Sequence, residues 1–283
     1  MKEKLINSGW ARAMSGPGGA ATPALVFLAA ALVMLLQIPA NLVVRAGWVS
    51  AGVLLNEVVA VAGVPLFLVY LFRLDASRIS PAGRVGASMY ALLAIFMLGS
   101  VILLDYATVL SETVFPLPDE IERALERLME AKTPGAVAWK LFLLCLVPAV
   151  CEELFFRGFC QGSLSSRWGS AWAIAAASAL FALMHGNPYH AHLYFLLGAL
   201  FGWVFYATAS LWAAAFCHAF NNSWTFLNHV RGFEFPLGGP WYLIDIAIAA
   251  AAAAAVVVCG RAILRRGRAA RSSAKRFPAL FSR

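Results

Sequence analysis

Long apolar runs separated by short polar breaks dominate the chain. They fall at about residues 23–44, 49–72, 85–110, 135–157, 171–185, 190–208, 211–228 and 241–264. A hydrocarbon core of ~30 Å takes about 20 apolar residues per helix, and most of these runs reach or approach that length. The pattern predicts an all-α, polytopic membrane protein of about eight transmembrane helices. A single domain spans residues 23–264, after a polar, Gly-rich lead (1–22) and before a basic tail (265–283). Segment 111–134 breaks the pattern. It holds six acids and three bases, yet Ile121, Leu125 and Leu128 recur at helical spacing after Pro118-Asp119. It predicts an amphipathic helix lying on the membrane surface, with a solvated loop as the alternative.

Composition agrees with that class. The 283 residues are 61% hydrophobic and 13% charged, more apolar than a soluble domain of this size needs. The net charge of +8 does not point to nucleic acid, because eight basic residues and no acids lie in 261–283. Such a segment suits an anionic cytoplasmic membrane surface. The five cysteines sit in or beside apolar runs without a CxxC, and read as small core residues rather than a disulfide framework. With eight spans, the basic N-terminus, the Arg73/Arg78/Arg84 loop, the Arg167 turn and the C-terminal tail share one face. The acidic segment 111–134 takes the other. The positive-inside rule then puts both termini in the cytoplasm, and the Ala- and Arg-rich composition suggests a bacterial inner membrane.

The candidate chemistry begins in 148–161, PAVCEELFFRGFCQ, where two carboxylates and an arginine interrupt an apolar run. Each charge costs about 2.5–3.5 kcal/mol at the centre of a membrane helix, so each needs a partner or a purpose. Glu153 and Arg157 are four apart, in the favourable order for an ion pair. Glu152 points about 100° away and is left over. Three further polar groups interrupt apolar helices: His185, and His218 with Asn222 one turn on. Glu152 has the chemistry of a general base toward water, and His185 could orient that water. His218 and Asn222 could donate to the oxygen that gains charge when a peptide carbonyl is attacked. Two histidines and a glutamate could also hold a metal such as zinc, although there is no HExxH and no helical His pair at i, i+4. A hairpin turning near Trp168-Gly169 puts Glu152 and His185 level, roughly 24–26 Å from the turn. His218 then lies only roughly 12 Å from the next turn near Ala209-Ser210. Reconciling the two requires the fourth helix to outrun the membrane, or a strong tilt.

These residues resemble the motifs of the CPBP family (CAAX proteases and bacteriocin-processing enzymes, also called the Abi family). Glu152-Glu153-x-x-x-Arg157 resembles its first motif, Phe181-x-x-x-His185 its second and His218-x-x-x-Asn222 its third. Gly198-x-x-x-Gly202 followed by Thr208-x-Ser210-Leu211-Trp212 is similar to the run between the last two. The resemblance covers about 139–226, the four core helices that would carry the site. It implies a membrane-embedded endopeptidase acting on a membrane-associated protein or peptide, within the lipid bilayer and without nucleic acid. It also implies Glu152 as the catalytic glutamate, His185 as its water-holding partner, His218 and Asn222 as the oxyanion site, and Glu153, Arg157 and Phe181 as supporting residues. The mechanism it implies is glutamic and metal-free, in a family formerly classed as metalloproteases.

Outside the resemblance, Asn56, Glu57, Asp105 and Asp245 fall near helix ends on the non-cytoplasmic side. They read as polar residues facing headgroups or water, with a substrate entry as the alternative. His190 and His192 read as interfacial side chains. Two other functions stay open: a transporter or proton relay, since buried Glu and His also mark ion paths, and a non-catalytic scaffold. No paired half-helices argue for the former, and all four candidate catalytic residues are present.

Overall fold

The computed structural model describes residues 19–79, 83, 85–233 and 242–276. The lead before residue 19, Arg84 and the last seven residues lie outside them. Among the described residues the regular elements are helices. In chain order they are α1 (Pro23–Arg45), α2 (Val49–Phe72), α3 (Ala87–Val114), α4 (Asp119–Met129), α5 (134–168), α6 (170–184), α7 (Ala191–Thr208), α8 (Leu211–Arg231) and α9 (Tyr242–Arg276).

Among the described residues six stretches are long and apolar enough to cross a membrane, and one of these, Pro134–Met184, is a pair of helices. The break is Gly169, whose φ of 75° is open to a residue without a Cβ. α8 falls short on hydropathy because His218, Asn221, Asn222, Asn228 and His229 lie along it. It nevertheless packs inside the bundle, against α5, α7 and α3. Setting α4 aside, eight long helices remain among the described residues, as the apolar runs predict.

Local rules place several helix ends. Thr22, Thr133 and Ser210 each accept a backbone N–H of the first turn, at 3.4, 3.2 and 3.3 Å, and so cap α1, α5 and α8. Ala209 and Gly232, both left-handed, close α7 and α8. α4 is amphipathic: its apolar residues Ile121, Leu125, Leu128 and Met129 are half-buried and its charged residues are exposed. Lys140 holds its C-terminal end by donating to the Leu128 and Glu130 carbonyls, both at 2.6 Å. α9 runs twelve residues past its expected end at 264, so much of the basic tail is helical.

Contacts sort the helix ends into two faces. Ala21 donates to Ser163 Oγ, Asp75 to the Gly19 carbonyl and Arg266 to the Ser88 carbonyl. These bonds gather the start of α1, the end of α2, the start of α3, the end of α5 and the late turns of α9. Arg73, Arg78, Arg167 and the arginines of α9 lie at that end. At the other end Trp139 donates to Ser50 Oγ, Ser111 Oγ lies 2.9 Å from His192, and Glu112 faces His190. The acidic α4 is there.

Close helix approach occurs where the sequence has glycine. On α7, Gly198 and Gly202 are one turn apart. The Gly198 carbonyl accepts from Arg157 Nη2, and that of Gly202 from Gln161 Nε2, both at 2.9 Å. Arg157 and Gln161 are also one turn apart, so two rungs lock α5 to α7. A Cβ on Gly198 would lie 3.0 Å from Ser178 Cα, which is backbone and cannot swing away. Gly198→Leu therefore overpacks the α6–α7 seam and strains the Arg157 rung. The expected loss is at least about 1–3 kcal/mol, read as a lower midpoint of thermal unfolding in detergent.

Candidate active site

The site is built on α5, and two features of its backbone shape it. At 35 residues and 1.5 Å per residue, α5 is about 52 Å long, well beyond a ~30 Å hydrocarbon core. That length resolves the depth conflict between His185 and His218, since the helix outruns the bilayer. Within α5 the residues Leu141–Leu146 and Leu154–Gln161 adopt wider π-helical turns on either side of Glu152 and Glu153. α2 carries a similar stretch at Leu55–Ala62. Such turns interrupt the regular ladder and are frequent at functional sites. Pro148 adds to the irregularity, because it has no N–H to give to the Leu144 carbonyl four residues back. Asn222 Nδ2 approaches that carbonyl from α8, at 3.4 Å.

Glu153 and Arg157 form the expected pair, at 2.9 Å, with both side chains almost completely buried. Three rings enclose the guanidinium, those of Phe181, Phe201 and Phe156, 4.9–5.8 Å from their centroids. Cation–π attraction and the Gly198 carbonyl thus help a charge that has left water. The same Glu153 Oε1 accepts from His218 Nδ1 at 2.9 Å. His218 stacks on Phe201, with centroids 4.8 Å apart. With Nδ1–H committed to the carboxylate, Nε2 is the atom turned toward Glu152, whose Oε2 lies 4.0 Å away.

His185 is fixed in the same manner. Its Nδ1 lies 2.7 Å from the Phe181 carbonyl, an acceptor, so Nδ1 carries the proton and Nε2 is left with a lone pair. Tyr194 stacks on the other side of the ring at 4.0 Å. Phe181 touches Arg157, His185 and His218, which gives the motif phenylalanine a physical function as their common wall.

Glu152 and His185 line one cavity of about 500 Å³, within the range of small-molecule and peptide sites. It lies in the half of the bundle nearer the acidic end. Its other walls come from the last turns of α1 (Met34, Gln37, Ile38, Asn41) and the early turns of α2 (Asn56, Glu57, Val61). Exposed Met34, Ile38 and Leu183 stand at the rim. Asn222 is one turn from His218 but is not among the cavity walls. Among the described residues, no three His, Cys, Asp or Glu side chains are grouped so as to hold a metal ion.

Residues 134–224 match the model of the Rce1-like family, type II CAAX prenyl endopeptidases. Over that segment the core is similar to the Rce1-like family. The match takes in all three motifs and the Gly198–Gly202 rungs, and it supports a membrane endopeptidase. No curated protein and no solved structure matches the chain.

The Rce1-like segment leaves α1–α3 uncovered, and one expectation there is corrected. Glu57 does not face headgroups or water. It is 5% exposed and lines the cavity with Glu152. Asn56 Nδ2 donates to its Oε1 at 2.8 Å. Asp105 and Asp245 are half-buried and accept hydrogen bonds from neighbouring helices. Trp224 Nε1 donates to Asp105 at 2.7 Å, and Tyr106 Oη to Asp245 at 3.4 Å. The five cysteines are buried and free, as their setting in apolar runs implies.

Proposed function

We propose that the protein is a glutamate-dependent intramembrane endopeptidase that cuts a membrane-associated protein or peptide, with no resident metal. The observation that carries this reading is the convergence of three polar groups from three helices. Glu152 and His185 share a cavity wall, and His218 Nε2 stands 4.0 Å from Glu152.

The chemistry follows from the hydrogen-bond roles. A water between Glu152 and His185 gives one hydrogen to the carboxylate and the other to the lone pair of His185 Nε2. Glu152 takes the first as a proton while the oxygen attacks the scissile carbonyl. The carbonyl oxygen becomes an oxyanion, which accepts from His218 Nε2–H when that imidazole carries both protons. Glu153, itself balanced by Arg157, supports that charge through Nδ1. Asn222, one turn further along α8, holds the Leu144 carbonyl, and its amide becomes a second donor to the same oxygen once the side chain turns into the cavity. The tetrahedral intermediate collapses, the C–N bond breaks, and Glu152 returns its proton to the leaving amine.

The bond from His218 Nδ1 to Glu153 fits a metal-free course, and among the described residues the carboxylates and imidazoles do not assemble a three-ligand set. Turnover is therefore expected to survive prolonged treatment with 1,10-phenanthroline and EDTA. Loss on chelation with recovery on adding zinc contradicts the glutamic mechanism.

With the basic end in the cytoplasm, both termini are cytoplasmic and the cavity opens in the outer half of a bacterial inner membrane. The rim residues Ile38 and Leu183 then face lipid, a route by which a membrane-held substrate enters sideways. The test of the function compares protein termini in membranes of cells carrying the wild-type chain or Glu152→Gln at matched expression. A set of proteins that keep an uncut terminus only with the variant supports the peptidase and names its substrates. Identical termini count against it.

A further inference from the structure

The cavity holds one acidic group that hydrolysis does not use. Glu57 lies outside the three motifs, on α2, with a side chain 5% exposed to solvent. Asn56 fixes its Oε1, whereas its Oε2 and the Asn56 Oδ1 are buried without a hydrogen-bond partner among the described residues. Glu152 Oε2, on the same wall, has none either. Three buried acceptor oxygens thus belong to residues that line one pocket. A buried acceptor that stays unpaired is costly, and a site that keeps such atoms is built for a donor that arrives from outside.

Charge points to the kind of donor. Glu57, Glu152 and Glu153 are three carboxylates about one arginine, and Arg157 is already spent on Glu153 and on the Gly198 carbonyl. His218 also turns its Nδ1–H to Glu153. Among the described residues no cation is paired with Glu57. The walls beside it, Met34, Val61, Phe156 and Met184, are apolar and suit a methylene stem.

We propose that Glu57, oriented by Asn56, forms a cation-recognising subsite that takes the ammonium or guanidinium group of a substrate lysine or arginine beside the scissile bond. The assignment rests on the peptidase reading and adds a side-chain preference to it. Glu57 is a specificity residue here, and Glu152 keeps the chemistry.

Two measurements test it on the full-length chain in lipid nanodiscs. The first is binding without catalysis, by thermal shift with butylguanidinium and with butylurea, its uncharged near-isostere. Wild type is expected to bind the cation and not the urea. Glu57→Gln is expected to lose about 30-fold or more of the cation affinity, as when one partner of a buried charged pair is removed. Equal binding of both probes, binding of neither, or a Glu57→Gln variant that still selects the cation overturns the subsite. The comparison within wild type stands even if that variant does not fold. The second measurement profiles cleavage of peptides that differ only by Lys, Arg, Met or Gln at each position around the cut. Wild type is expected to favour the basic residues at one position by about 30-fold, and Glu57→Gln to fall within about threefold across the four. Cleavage indifferent to that residue in wild type overturns the proposal. Charge-selective binding with no peptide cut leaves the subsite standing and removes the peptidase.

Discussion

Glu152→Gln is expected to leave the protein folded and to lower turnover by at least about 10³-fold, within the range for losing a positioned general base. Glutamine keeps the length and shape of the side chain and removes only its capacity to take a proton. The fold should not notice. Glu152 Oε2 makes no protein hydrogen bond among the described residues, and the ion pair that locks α5 belongs to Glu153. A stability within about 1 kcal/mol of wild type is therefore part of the prediction. The measurements are single-turnover cleavage of a substrate found by terminal profiling and thermal unfolding of the same preparation. Turnover above a tenth of wild type removes Glu152 from its assigned role. Glu153→Gln makes the contrast, because it weakens the bonds to Arg157 and His218 and so should lower stability and turnover together.

The chain carried much of this arrangement in plain view. Charges in apolar helices are rare enough that Glu152, Glu153, Arg157, His185 and His218 each stood out, and spacing alone paired Glu153 with Arg157. The hairpin at Gly169 could be located from a Trp-Gly turn, and with it the level placement of Glu152 and His185. Two things did not follow from spacing. One is the hydrogen bond from His218 to Glu153, which depends on how α8 rotates against α5, and a one-dimensional pattern holds no rotation. The other is Glu57. It showed the same signal as Glu152, an acid inside VLLNEVVAV, but counting placed it near a helix end where water was the cheaper explanation. The cavity itself lies near that end, so position along the helix was a poor guide to burial. The π-helical turns of α2 and α5 were equally out of reach, since they change residue phase without a distinctive composition.

Arg157→Ala is expected to cost about 3–5 kcal/mol of stability, the range found when one member of a buried ion pair is removed. Three losses coincide at this position. Glu153 becomes a buried carboxylate without its guanidinium, the Gly198 carbonyl loses its donor, and Phe156, Phe181 and Phe201 lose the group they enclose. The last two rings also pack on His218, so the variant should loosen the histidine as well. The origin of the loss can be separated from simple volume. Arg157→Met restores most of the stem but not the charge, and should remain close to the alanine variant if the stranded Glu153 carboxylate dominates. Adding Glu153→Gln to Arg157→Met removes that stranded charge and should recover part of the stability, a coupling of roughly 0.5–3 kcal/mol in a double-mutant cycle. Denaturation of the four proteins in detergent gives the cycle directly. Independent, additive losses would mean that Arg157 acts through packing alone, and that Glu153 holds His218 without needing its cation.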